Sequence, residues 1–536
     1  MSTKPEKPSF YLTTPIYYVN SVPHLGTAYT TIAADAMARY RRMTGYDVWF
    51  LTGLDEHGQK VEQAATAAGV TPREWVDRLA GEFQETWRML SISNDQFIRT
   101  TDPTHTHAVQ ELARRLYESG DIYAGTYEGW YCLPDETYWA EANLEPANEA
   151  GERMCPDCTR PLTFVTEENY FFKLSKYTDK LLEWYDSTSD GLAHVAPETR
   201  MNEVRSFVER GLDDISISRS NVKWGIPLPW DESHTMYVWF DALINYISAI
   251  GYGTDKNAAD AEARAAEFAH RWPAQLHYVG KDIIRFHCII WPALLMAAGL
   301  ELPQRVFAHG FLLTKGEKMS KSKGNAQTPA ELVEQFGVDG YRYYFLRDVQ
   351  FGTDGSISHE AMVQRYNGDL ANDWGNLCSR LFNMVGKYCD GAVPDASGYA
   401  DAAEGAELRE IAAGLGAMVE ERMVKLDYAG ALEATWELIK ATNRYLEESA
   451  PWALAKDDAT LPRLYAVLYN ALETVRIAAL YCAPVMPNTS AQVFERLSLG
   501  DIWAVDDLAA ATQWGQLPVG NTVTKGDSLF PRIATE

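Results

Sequence analysis

The stretch that most narrows the possible folds lies at residues 10–42. Residues 10–14 are apolar and β-branched, as a buried strand requires, and residues 28–42 alternate small, apolar and charged side chains at helical spacing. Between them, residues 15–27 carry His24-Leu25-Gly26. A strand, a turn and a helix start form the nucleotide-binding corner of a doubly wound sheet, whose ligands sit beyond the carboxyl ends of its strands. Helix amides at such a corner meet phosphate. His24 can donate to a phosphate oxygen, and Gly26 lets adenine approach the backbone. The plainer reading of a histidine at a helix start is a cap or an exposed residue.

A second stretch, FLLTKGEKMSKSKGN at residues 311–325, joins an apolar run to a loop with four lysines and two glycines. Gly316 and Gly324 free the backbone, and Lys315, Lys318, Lys321 and Lys323 suit a mobile loop that closes on a polyphosphate. A solvated lysine run is the alternative. Lys318-Met319-Ser320-Lys321-Ser322 is letter for letter the KMSKS loop, so the chain resembles the class I aminoacyl-tRNA synthetases. His24-Leu25-Gly26-Thr27 is similar to that family's His-Ile-Gly-His, with Thr27 in place of the second histidine. The resemblance implies that ATP, with Mg2+, is bound by His24, Gly26, Thr27, Lys318, Ser320, Lys321 and Ser322. It further implies that His24, Lys318 and Lys321 are catalytic.

Three further segments point to the methionyl members of the family. Residues 47–51 read as a strand leading into Asp55-Glu56-His57-Gly58, where a carboxylate at a strand's end faces the cleft. The alternative for Asp55 is a cap on a helix over residues 56–68. Residues 237–246 (YVWFDALINY) read as a strand running into a helix, and residues 277–287 as a strand ending in Gly280 followed by a helix carrying His287. These resemble the methionyl motifs, which implies a methionine pocket of Ile16, Tyr18, Asp55, Trp239, Ala242, Tyr246, Ile283 and His287. Gly280 and Asp282 then bind adenosine. Aromatic walls suit a flexible thioether, and Tyr18 and His287 are the expected polar contacts.

Between these halves, residues 121–162 turn rich in Tyr, Trp, Gly and Thr, as in short strands joined by turns, and read as an inserted module. Residues 168–209 read as helical. Cys155-Pro-Asp-Cys158 is a metal knuckle, Cys132 is a third thiol, and Asp135 stands where methionyl enzymes commonly carry a further cysteine. Two readings stand: one structural Zn2+ on Cys132, Asp135, Cys155 and Cys158, or a knuckle held by packing. Seven cysteines with one close pair suit a reducing compartment, and no apolar run reaches the roughly 18 residues of a membrane span. A cytoplasmic protein without a membrane is expected. Lysine plus arginine total 48 against 74 aspartate plus glutamate, a net charge of −26, so any RNA contact must be a local basic surface.

Beyond residue 356 the sequence is mostly helical. Asn376 and Arg380, four residues apart, share a helix face, and Ala450-Pro451-Trp452 places an aromatic near a helix break. These segments resemble the anticodon-reading elements of methionyl enzymes, which implies that Asn376, Arg380 and Trp452 meet the CAU anticodon of tRNA(Met). Ordinary surface pairing and a packed core tryptophan are the alternatives. The end at Glu536, without the extra tRNA-binding domain of some relatives, suggests a monomer.

The expected fold is α/β: a Rossmann-type parallel sheet split by a zinc-knuckle-like insertion, followed by an all-α anticodon-binding bundle. The parts are 1–118, first half of the Rossmann catalytic domain; 119–232, connective insertion; 233–318, second half; 319–370, lysine loop and stem-contact region; and 371–536, the helical domain. The activity implied is ATP-dependent joining of L-methionine to tRNA. Other class I synthetases, and an RNA-binding module that kept the fold and lost catalysis, are the alternatives.

Overall fold

Six parallel strands form the spine of the molecule. The computed structural model describes residues 7–133, 137–139, 141, 144–148, 150–314, 317–318 and 328–534. In chain order the strands are β1 (Ser9–Tyr18), β2 (Asp47–Asp55), β3 (Gln96–Arg99), β4 (Val195–Ala196), β5 (Leu276–Gly280) and β6 (Val306–His309). In space they run β3-β2-β1-β5-β6-β4. The sheet therefore reverses its winding between β1 and β5, and the crevice at their carboxyl ends is the usual ligand position of such a sheet.

Helices cover both faces, which is why β5 and β6 read as continuous apolar runs. They include α1 (Leu25–Met43), α2 (Gln59–Ala67), α3 (Pro103–Glu118), α4 (Val238–Leu243) and α5 (Trp291–Ala298). α5 continues directly from a π-helical segment, Phe286–Ile290, with Pro292 just past the junction, and it ends at Gly299 with φ 63°.

Two expectations are corrected. Residues 237–246 contain no strand: Asp231–Met236 is the strand, and α4 and a short helix, Asn245–Ser248, follow it. The aromatics at 237, 239 and 240 imitate a strand, yet 239, 242 and 246 keep the helical period that carries all three to one face. Residues 168–172 complete the strand Thr163–Phe172, and the helices start later, at Thr178–Asp186 and Glu198–Glu209. The Tyr170-Phe171-Phe172 run favours a pleated, half-buried surface.

The insertion is a four-stranded antiparallel sheet in the order Ile215–Ser216, Thr163–Phe172, Ile122–Cys132, Thr137–Trp139. After the sheet come α6 (Pro329–Arg347), α7 (Asn376–Tyr388), α8 (Ala406–Val424), α9 (Tyr428–Ser449) and α10 (Leu461–Cys482). Their core is continuous with that beneath α1. At the joint, fully buried Arg342 of α6 donates to Asp35 of α1 at 2.7 Å, to Leu90 O, Pro484 O and Val485 O. Burial raises the Asp35 carboxyl, but Arg39, Arg342 and a Ser93 hydrogen bond outweigh it and hold the group at about 2. Among the described residues no helix is long and apolar enough to cross a membrane.

Candidate active site and metal centre

The corner after β1 is built around His24, the N-cap of α1. Its Nδ1 accepts from the amides of Gly26 at 3.1 Å and Thr27 at 3.4 Å. A neutral imidazole that accepts at Nδ1 carries its proton on Nε2, so the cap also fixes the tautomer able to donate to an anion. Capping and ligand readings of His24 are thus compatible. Thr27 returns the favour: its hydroxyl donates to His24 O at 2.8 Å and accepts from His24 N at 3.0 Å. The one hydroxyl proton of Thr27 is thus engaged inside the cap.

Across the crevice, Gly280 ends β5 and Asp282 lies in the tight turn Lys281–Ile283. An added Cβ at Gly280 would meet Asp282 Oδ1 at 2.4 Å, so only glycine lets that carboxylate fold back. Lys281 pairs with Asp354 at 2.7 Å, and Asp354 accepts from the amide of Phe311 at 2.8 Å, at the root of the lysine loop. Leu312–Thr314 pairs with Glu317–Lys318, setting Lys318 opposite Leu313 in the ladder. Ser320, Lys321 and Ser322 lie outside the described residues.

One cavity opens at the switch point, lined by Pro15, Ile16, Asp55, Trp239, Ala242, Leu243, Asn245, Tyr246 and His287. It gathers six of the eight residues named for methionine; Tyr18 and Ile283 are not in its lining. Asp55 is the last residue of β2 and 4% exposed, and α2 begins only at Gln59 with Gly58 as its cap, so Asp55 caps no helix. Trp239 stacks on Phe286 at 3.8 Å, and Tyr246 leans on His277 at 4.3 Å.

Tyr246 also donates to His287 Nε2 at 2.7 Å, while His287 Nδ1 donates to Ile283 O at 2.9 Å. Burial lowers the His287 ring to about 4, against the opposing Ile283 bond, so it is neutral. Its single N–H is therefore engaged. His287 stands as a neutral wall of the pocket.

Sequence reasoning missed Pro15, Leu243 and Asn245. The signal for the first was a proline inside a strand. From Thr13↔Leu51 to Ile16↔Gly53, β1 advances one residue more than β2. Such bulges re-aim side chains beside active sites. It also missed a buried chain behind the cavity: Asp241 Oδ2 to His57 Nδ1 at 2.6 Å, Asp241 Oδ1 to His105 Nε2 at 2.7 Å, and His105 Nδ1 to Ser248 Oγ at 2.7 Å. Burial raises the Asp241 carboxyl, but the two imidazoles outweigh it and hold it below the usual range.

In the insertion, the Sγ atoms of Cys132, Cys155 and Cys158 lie within 4.8 Å of one another. The amide of Thr159 donates to Cys155 O at 2.9 Å, closing the knuckle turn. Three converging soft donors fit Zn2+. Asp135 lies outside the described residues. In the helical part, Asn376 is exposed and Trp452 is 46% exposed, so the packed-tryptophan alternative is excluded. Arg380 reaches Asn443 Oδ1 at 3.5 Å and Glu447 Oε1 at 3.7 Å, near the end of α9, and Trp452 follows that end in sequence. Ala450, between them, sits in the left-handed region with φ 47°.

Comparison with known proteins agrees with this geometry. The family described as class I tRNA synthetases (M) matches residues 10–382, and the anticodon binding domain of methionyl tRNA ligase matches residues 393–536. The methionine-tRNA ligase of Thermotoga maritima is 49% identical over 526 residues, covering 98% of this chain and 80% of its own length. That of Streptomyces coelicolor is 47% identical over 538 residues, covering 98% and 97%. Mycobacterium tuberculosis methionyl-tRNA synthetase in complex with methionyl-adenylate is similar with a TM-score of 0.90 at 46% identity, over 98% of this chain and 100% of that one. Its apo form gives 0.84 at 42% identity, over 99% of each. With the reversed parallel sheet, the crevice corner and both sequence families in register along nearly its whole length, the chain belongs to the class I methionyl-tRNA synthetases.

Proposed function

We infer that this chain activates L-methionine with ATP and transfers the methionyl group to the 3' end of tRNA. The observation that carries the reading is the cavity at the switch point, where one carboxylate, Asp55, joins a lining that is otherwise mostly apolar and aromatic. Asp55 suits an ammonium group; Trp239, Ala242, Tyr246 and neutral His287 suit a thioether side chain. The methionine carboxylate then attacks the α-phosphorus of ATP, and the bond to the pyrophosphate oxygen breaks. In the second step a terminal ribose hydroxyl of tRNA attacks the methionyl carbonyl, and AMP leaves.

No side-chain nucleophile is needed, because phosphoryl chemistry of this kind rests on positioning and charge stabilisation. His24 donates from Nε2 to a phosphate oxygen, held there by Thr27 and the amides of α1. Lys318 and Lys321 neutralise the phosphates, with Ser320 and Ser322 as further donors, while Gly280 and Asp282 bind adenosine. Mg2+ bound to ATP supplies further charge neutralisation. Cys132, Cys155 and Cys158 would hold one Zn2+, with Asp135 as the candidate fourth ligand, and the ion would serve structure rather than chemistry.

Asn376, Arg380 and Trp452 read the CAU anticodon, a reading supported by the exposed indole of Trp452 and the exposed Asn376. The parts 1–118, 119–232, 233–318, 319–370 and 371–536 stand as the proposed domain organisation, for a cytoplasmic monomer. The test is amino-acid-dependent exchange of pyrophosphate into ATP across all twenty amino acids without tRNA. Exchange with methionine alone is the expected result; exchange with another amino acid would overturn the pocket assignment.

A further inference from the structure

Asp241 stands between Trp239 and Ala242 in α4, yet it does not line the cavity that those two residues line. Its side chain, 1% exposed, instead reaches back to two histidines from the other half of the sheet. His57 follows the ammonium-binding candidate Asp55 by two residues at the carboxyl end of β2, and His105 lies in the first turn of α3. The separation of 184 residues between His57 and Asp241 spans the whole insertion. No local chain geometry therefore sets the gap between Asp55 and the wall of α4. A tertiary contact must.

The surroundings make that contact rigid. Trp224 donates from Nε1 to Glu56 O at 2.6 Å, accepts from the amide of Gly58 at 3.1 Å, and meets the His57 ring edge-on at 5.7 Å. Glu56, fully buried, takes Arg99 at 2.7 Å. On the far side His105 is anchored by Ser248, two residues past the pocket residue Tyr246. A carboxylate taking one charge-assisted bond on each oxygen, in a site closed to water, has one geometry.

We propose that His57, Asp241 and His105 form a positioning element that fixes Asp55 against the side-chain pocket of Trp239, Ala242 and Tyr246, and so sets methionine affinity. The proposal rests on the methionine-activating reading above. None of the three needs to touch substrate. An amino acid held at both ends demands a fixed span between its two binding groups, and loss of that span weakens ground-state binding without altering the phosphate contacts across the crevice.

The test is steady-state pyrophosphate exchange with Asp241→Asn, His105→Leu and His105→Gln in the full chain, with thermal melting of each. Glutamine carries its amide near the position of Nε2 and keeps the donor; leucine does not. Expected are rises of about tenfold or more in methionine KM for Asp241→Asn and His105→Leu, ATP KM and kcat within about threefold, and recovery in His105→Gln. A methionine KM unchanged in any folded variant that lacks the bond, or a fall in kcat alone, overturns it. Failure of all three to fold would make the chain a stabilising one and would also overturn it. Absence of methionine-dependent exchange in the unsubstituted protein sinks the functional reading instead, so the two failures are distinguishable.

Discussion

The pocket and the anticodon side of this molecule are built on opposite plans. Around the pocket the side chains are buried and tied: Tyr246 is 1% exposed and His287 2%, each bonded to a partner in the wall. On the anticodon side Trp452 is 46% exposed, and among the described residues Arg380 has long contacts, of 3.5 and 3.7 Å. A small ligand that must be told from its neighbours by a methylene needs a preformed, water-free cavity. An unstacked base needs an open aromatic face and a guanidinium with room to move. The regions share one device. A π-helical segment, Phe286–Ile290, contains His287, and another, Tyr366–Gly375, ends where Asn376 begins. The wider turn re-aims side chains that a regular helix would point elsewhere, and such segments are frequent at functional sites.

Breaking the joint between the two regions should have the largest effect. Asp35→Ala leaves the Arg342 guanidinium buried without its carboxylate and is expected to cost about 3–5 kcal/mol in urea unfolding, damaging exchange and tRNA charging together. Lys321→Ala should separate the regions. Adenylate formation slows by about two to three orders of magnitude, with methionine affinity little changed and tRNA binding kept; an unchanged exchange rate would remove Lys321 from the mechanism.

Acid should act on the pocket through His287. Its folded value of about 4 lies below the ordinary 6.5, so the unfolded chain takes the proton first. The stability of the neutral ring is complete above about pH 6.5 and falls by about 3 kcal/mol as pH drops towards 4. His287→Gln should flatten that part of the curve. The smallest effect belongs to Trp452→Ala, expected to weaken tRNA charging by about 1–3 kcal/mol while leaving pyrophosphate exchange untouched. A loss of exchange in that variant would mean that the indole supports the fold rather than a base.

Much of the site was legible because its signals are short and local. The fold class, the crevice corner at His24, the carboxylate at the end of β2 and the thiol cluster all follow from a few adjacent residues each. The misreadings share a cause. Residues 237–246 look like a strand because aromatics crowd the sequence, and only the packing of Trp239, Ala242 and Tyr246 onto one cavity shows the helical period. Residues 168–172 look helical until their pairing with the strand Ile122–Cys132 is seen.

By itself, then, the sequence determined the sheet's nucleotide corner, the order of the motifs and the chemistry each could offer, since those depend on residue type and spacing of a few positions. Tertiary structure alone decided the partners: Asp35 with Arg342 across 307 residues, and Asp241 with His57 and His105 across 184 and 136. A buried charge takes whatever donor the fold brings within 3 Å, and nothing in the local sequence of either residue encodes the other.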